Sequence, residues 1–107
     1  MTLTVILEKL QNPATSPGEL SQTLIFLSAE YSKKSDEFAQ VLGMKASEWP
    51  KLREKHESDK QADKAWDAMI EGRSEMILRL ELKNLAQLMS SIKAHLRVKD
   101  AEARNQF

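Results

Sequence analysis

The chain has 107 residues, sixteen of them Lys or Arg and sixteen Asp or Glu, so it is formally neutral and lacks the global field of a strongly charged nucleic-acid or membrane binder. The absence of Cys excludes disulfides, thiolate metal sites and thiol chemistry. At this length a single helical domain over 1–107 with one modest core is expected, and three Gly and three Pro among many Leu, Ala, Glu, Lys and Gln favour helix over strand.

Residues 1–15 open with Leu3, Ile6, Leu7 and Leu10, the spacing of a short amphipathic helix, followed by the turn-forming QNPATSPG. The start has no basic leading region and no small-residue cleavage pattern, so it is not read as a signal peptide, and no stretch reads as a membrane span. A cytoplasmic protein is expected.

The first long helix is expected over 16–43. Ser16 as N-cap, Pro17 at the first helical position and Glu19 three residues after the cap form a capping box, and Gly43 is the matching stop. Between them Leu20, Leu24, Leu27, Tyr31, Phe38 and Val41 keep spacings of four and three, with one gap at Lys34. A broken middle segment follows over 47–72. Ser47 is its cap and Pro50 falls in its first turn, where a missing amide hydrogen costs nothing. Trp49 and Leu52 at one end, and Ala62, Ala65, Trp66, Met69 and Ile70 at the other, flank REKHESDKQ, which has no hydrophobic residue and cannot line a core. Gly72 then permits a bend.

The last helix is expected over 74–104. Leu78, Leu82, Leu85, Met89, Ile92, Leu96, Lys99 and Ala103 alternate spacings of four and three without a slip, which defines a seam for the core or for an oligomer contact. Ile77, Leu80, Leu88 and Val98 widen that face, so contact with at least two neighbouring helices is expected. The fold class is therefore all-α: a helical bundle or coiled-coil-like hairpin with two long heptad-bearing helices and a broken middle helix. Two seams with so polar a stretch between them point to a homo-oligomer, most simply a dimer.

Arg79, Lys83, Lys93, Arg97 and Arg104 fall on one flank of the last seam, and no acid interrupts the chain between Leu82 and Lys99. This flank is the candidate partner surface, for an acidic protein or a phosphate backbone. Internal pairing is the alternative: Glu30 and Glu37 would meet Arg79 and Lys93 if the two long helices ran parallel. No aromatic interleaves the basic residues and no recognition motif accompanies them, which weakens direct nucleic-acid reading. Asp59, Asp63, Asp67 and Glu71 recur every fourth residue as an acidic stripe, with Lys60 and Lys64 placed to neutralise it. His56 and His95 have no carboxylate or nucleophile joined to them by a motif, and Glu54 and Glu57 stand in a wet stretch. No catalytic residue, cofactor site or metal site is assigned, and Trp49 and Trp66 read as core anchors.

SDKQADKAWDA followed by EMILRLELKNLAQLMSSIKAHLRVKDAEARNQ, about the last fifty residues, resembles small uncharacterised helical proteins of phage and prophage genomes. The resemblance implies the cytoplasm of an infected or lysogenic bacterium and a role in phage DNA metabolism or on a host protein. The expected function is a non-enzymatic adaptor or inhibitor that binds a host or phage protein. The alternatives are a nucleic-acid-binding accessory and a structural subunit of a phage particle.

Overall fold

The structure is a computed structural model that describes residues 3–12 and 14–105. Pro13 and the side chain of Leu3, both part of the first expected element, lie outside the described features. Four helices, and no strand among the described residues, make the chain all-α: α1 (Leu3–Gln11), α2 (Pro17–Lys55), α3 (Asp59–Ala68) and α4 (Ile70–Asn105). The chain divides into two compact units, one comprising the segment through Tyr31 with that from Asn84 onward, the other Ser32–Lys83.

In the first unit, α1 is too short to persist in water alone and is held by packing. Ile6 joins Leu20 and Leu27 of α2 and Ile92 of α4 in a buried cluster, ringed by Leu10, Leu24, Phe26, Leu85, Leu88, Met89 and Leu96. The last helix thus shares a core with two others, through Leu85, Leu88, Met89, Ile92 and Leu96. Ile92 is the fully buried member of its seam, whereas Leu85 and Met89 are half-buried. The turn after α1 is an Asx-type turn in which Asn12 Oδ1 accepts from Ala14 N at 2.9 Å. Ser16 caps α2 as expected, its Oγ accepting from Glu19 N at 3.2 Å. Lys99 closes this end by donating to the buried Thr15 carbonyl at 2.6 Å, an ammonium at a seam position whose charge meets a backbone acceptor.

In the second unit the buried residues are Ala62 and Trp66 of α3 and Leu78 and Glu75 of α4, with Phe38, Val41, Trp49 and Leu52 of α2 half-buried. Lys34 pairs with Glu81, Arg79 lies 5.5 Å from the Phe38 ring centroid, and Lys45 pairs with Glu75 at 3.1 Å. Residue numbers rise along α2 as they fall along α4, so the two helices are antiparallel here. The seam gap at Lys34 is filled by an ion pair.

The helix boundaries differ from those expected. α2 runs through Gly43, Ser47 and Pro50 without a break. Gly43 has a negative φ and no heavy atom within 4 Å of where a Cβ would stand, so nothing there requires the left-handed turn that makes glycine a helix stop. The chain continues because Lys45, Trp49 and Arg53, one turn apart, each find a partner beyond it: Glu75, Asp63 at 2.8 Å and Asp59 at 2.6 Å. These contacts, with the packing of half-buried Trp49 and Leu52, work against a glycine costing about 1 kcal/mol and an interior proline costing about 3 kcal/mol. The chain turns instead at His56–Ser58, inside the apolar-free REKHESDKQ. There Ser58 Oγ caps α3 by accepting from Gln61 N at 3.2 Å, and Gln61 Oε1 reaches back past the cap to accept from Glu57 N at 3.0 Å, a close variant of the capping box within SDKQ.

The second break is at Met69, which is extended (φ −77°, ψ 158°), and not at Gly72, which lies in the first turn of α4. Gly72 serves a different purpose from a bend. A Cβ on it would stand 1.9 Å from the Trp66 carbonyl oxygen and 2.9 Å from Asp67 Cα, so the α3–α4 corner closes only around a residue without a side chain.

Candidate functional site

The five residues of the expected basic flank are all exposed on α4, but the structure does not use them alike. Arg79 is engaged within its own unit: it lies 3.7 Å from Glu75 Oε1 and over Phe38, a cation–π geometry. Arg104 pairs with Asp100 one turn away at 3.1 Å. Lys83, Lys93 and Arg97 have no ion pair among the described residues. Lys83 shares the second unit with Arg79, while Lys93, Arg97 and Arg104 belong to the first. Neither Glu30 nor Glu37, the expected internal partners of this flank, makes an ion pair among the described residues.

The most enclosed polar group in the second unit is Glu75, which the sequence reading passes over. Its side chain is 6% exposed, and it accepts from Lys45 Nζ at 3.1 and 3.5 Å and from the fully buried Trp66 Nε1 at 3.4 Å. A carboxylate so deprived of water persists only because cations and donors surround it. The arrangement fastens α2, α3 and α4 to one another, and it makes Trp66 the core anchor it was expected to be. A tryptophan with an acid nine residues later was the available signal, but nothing in the spacing brings Lys45 to them.

The acidic stripe is divided by the break at Met69. Asp59 is met by Arg53 and Asp63 by the Trp49 indole, both from α2, and the pairs expected of Lys60 with Asp63 and Lys64 with Asp67 do not form among the described residues. Glu71 opens α4, where a carboxylate suits the positive helix end. Among the described residues no group of three or more His, Asp or Glu is placed to hold a metal ion. His95 Nδ1 lies 2.8 Å from the Ser91 carbonyl on its own helix, and the His56 amide donates to Arg53 O in the turn between α2 and α3.

The outer side of α4 in the second unit carries what the seam analysis misassigned. Ile77 and Leu80, expected to widen the core contact, are 56% and 59% exposed, and Ile70 and Met76 are 80% and 57% exposed. Val98, in the other unit, is likewise exposed, and of the four residues expected to widen the face only Leu88 packs on the core. Ile70, Arg73, Ile77 and Leu80 follow one another at spacings of three, four and three, so they form one stripe turned away from Leu78 and Leu82. A second apolar period on the same helix was legible in the sequence, but only burial shows that nothing in this unit covers it.

No protein-family model, curated protein or solved structure matches the chain. Among the described residues no helix is long and apolar enough to cross a membrane.

Proposed function

We propose that the protein is a non-enzymatic helical interaction protein, an adaptor or inhibitor that presents α4 to another macromolecule. The observation that carries this reading is the set of Ile70, Met76, Ile77 and Leu80, each more than half exposed within three turns of one helix. Contiguous apolar patches of roughly 300–600 Å² are the largest that monomers usually expose, and they commonly mark contact sites. Exposed Arg73 and Lys83 on the same helix add charge beside it. The likeness of the last fifty residues to phage and prophage proteins supports a partner of host or phage origin, met in the bacterial cytoplasm.

The test is affinity capture from a bacterial host lysate by the full chain and by an Ile77→Ser/Leu80→Ser variant, with sedimentation of the purified complex. A stoichiometric protein retained by the parent and lost by the variant is expected. Equal capture by both, or none by either, refutes the reading. Nucleic-acid binding is the second reading, supported by Lys83, Lys93 and Arg97, which are exposed and make no ion pair among the described residues. It requires affinity that falls log-linearly and steeply with salt.

A further inference from the structure

We propose that the outer face of α4 between Ile70 and Lys83 is a docking site for an amphipathic helix of a partner protein, aliphatic along its contact seam and acidic on its flanks. This inference rests on the interaction role above and adds the chemistry of the partner. The face has three properties that together select such an occupant.

The apolar positions are spaced for a helix. Ile70, Ile77 and Leu80, with Arg73 among them, repeat at three and four residues over about 15 Å of helix axis, the pattern that accepts knobs from a second helix. The charge on the face has one sign. Arg73 and Lys83 are exposed and make no ion pair among the described residues. The carboxylates of this stretch are directed elsewhere: Glu75 is buried, Glu81 is held by Lys34, and Glu71 lies seven residues from the inward-facing Leu78 and on its side of the helix.

That single sign argues against the simplest occupant, the same face of a second copy. Pairing the stripe with itself leaves the cations unanswered in either direction: in a parallel pair Arg73 and Lys83 meet their own copies, and in an antiparallel pair Lys83 falls against Ile70 and Arg73 against Leu80. A helix flanked by Asp or Glu removes the repulsion and satisfies both cations. Phosphate would satisfy the cations but would leave Ile70, Ile77 and Leu80 against water.

The probe is a dye-labelled synthetic peptide of about three heptads with Leu at the seam positions and Glu at both flanking positions, compared with its Lys-flanked counterpart. Like charges on its flanks disfavour self-pairing of either peptide. Fluorescence anisotropy with the full chain should show the Glu peptide binding about tenfold or more tightly than the Lys peptide. Ile77→Ser/Leu80→Ser should abolish that binding, and Arg73→Glu/Lys83→Glu should reverse the preference. Circular dichroism should match the parent for both variants, since all four side chains are exposed.

Equal affinity for the two peptides, or a preference unchanged by charge reversal, overturns the proposal. So does self-association that depends on Ile77 and Leu80, which would make a second copy the occupant. Duplex DNA binding that is lost with Arg73→Glu/Lys83→Glu but kept with Ile77→Ser/Leu80→Ser overturns it in favour of phosphate. If the parent captures a lysate protein in an Ile77- and Leu80-dependent way while the Glu peptide does not bind, the partner chemistry is wrong and the interaction role stands. If neither is seen, both fail.

Discussion

Replacing Gly72 with Ala would ordinarily stabilise a helix, by about 1 kcal/mol, yet in this chain it should be among the most damaging single-methyl changes. The added carbon would stand 1.9 Å from the Trp66 carbonyl oxygen, 2.7 Å from its carbonyl carbon and 2.9 Å from Asp67 Cα. All three are backbone atoms, so no side chain can rotate away. Ordinary contact begins near 3.4 Å, and the end of α3 must therefore retreat by roughly 1.5 Å or the first turn of α4 must unwind. Retreat would disturb Trp66, which is fully buried and donates its indole N–H to Glu75 at 3.4 Å. Overpacking typically costs 1–3 kcal/mol, and complete loss of a buried Trp side chain about 3–5 kcal/mol. A net destabilisation of about 2–4 kcal/mol follows, which for a chain of this size lowers Tm by roughly 10 °C or more. Thermal unfolding followed by circular dichroism measures it, and a red shift of tryptophan emission would report the opening around Trp66. A Gly72→Ala protein as stable as the parent would refute the close approach of the two backbones.

At Gly43, where a methyl group would meet nothing within 4 Å, Ala should instead stabilise by about 1 kcal/mol; a loss in denaturant midpoint would restore the helix stop there. Pro50→Ala should stabilise by about 2 kcal/mol in the same assay, as the interior helix hydrogen bond returns against a smaller gain in unfolded-chain entropy, and no change would place Pro50 at a helix start. Lys45→Met should cost about 1–3 kcal/mol by leaving the Glu75 carboxylate short of its nearest cation, whereas Glu75→Gln should cost about 1 kcal/mol because Lys45, a third exposed, regains water. Chemical denaturation of both variants and their double mutant ranks them, and the opposite order would show that Glu75 is held by something other than Lys45.

The seam of α4 and the capped start of α2 were legible because both are local: a repeat of threes and fours, and a Ser-Pro pair before an acid. Helix class survives errors at individual residues, since propensity and periodicity sum over many positions. The breaks were not legible for the opposite reason. Gly43 and Pro50 are poor helix residues by any local measure, and they stay helical because Lys45, Trp49 and Arg53 reach partners 6 to 30 residues away in sequence. The turn at His56–Ser58 was half legible: the apolar gap marks a stretch that cannot line a core, but the cap within SDKQ is one of several polar residues there and only its hydrogen bond to Gln61 singles it out. Within the candidate site, Lys83 was legible as an exposed basic residue and Arg73 was not, since it falls outside the flank of the seam, and periodicity could not decide whether Ile77 and Leu80 face a neighbour or water. A repeat reports that a face is apolar, and only the packed neighbours report whether it is covered.

The antiparallel course of α2 and α4 also orders the chain's assembly in time. Contacts near the α2–α3 turn join residues close in sequence, 14 apart for Trp49 and Asp63, while Lys45 and Glu75 are 30 apart and Lys99 and Thr15 are 84 apart. Closing the longest of these directly from the unfolded chain costs about 1.5 kcal/mol more loop entropy than closing the shortest, a difference largely removed if the pairs close in succession from the turn outward. The expected nucleus is therefore the corner built by Trp49, Asp63 and Trp66, with the clasp of Lys99 on Thr15 among the last contacts made. Stopped-flow kinetics should find that Trp49→Phe chiefly slows folding and that Lys99→Met chiefly speeds unfolding. A late φ-value at Trp49 with an early one at Lys99 would reverse the order. Assembled this way, the apolar residues of α1 and the start of α2 have only one another to cover them until the end of α4 arrives, and that interval is when the chain is most open to aggregation.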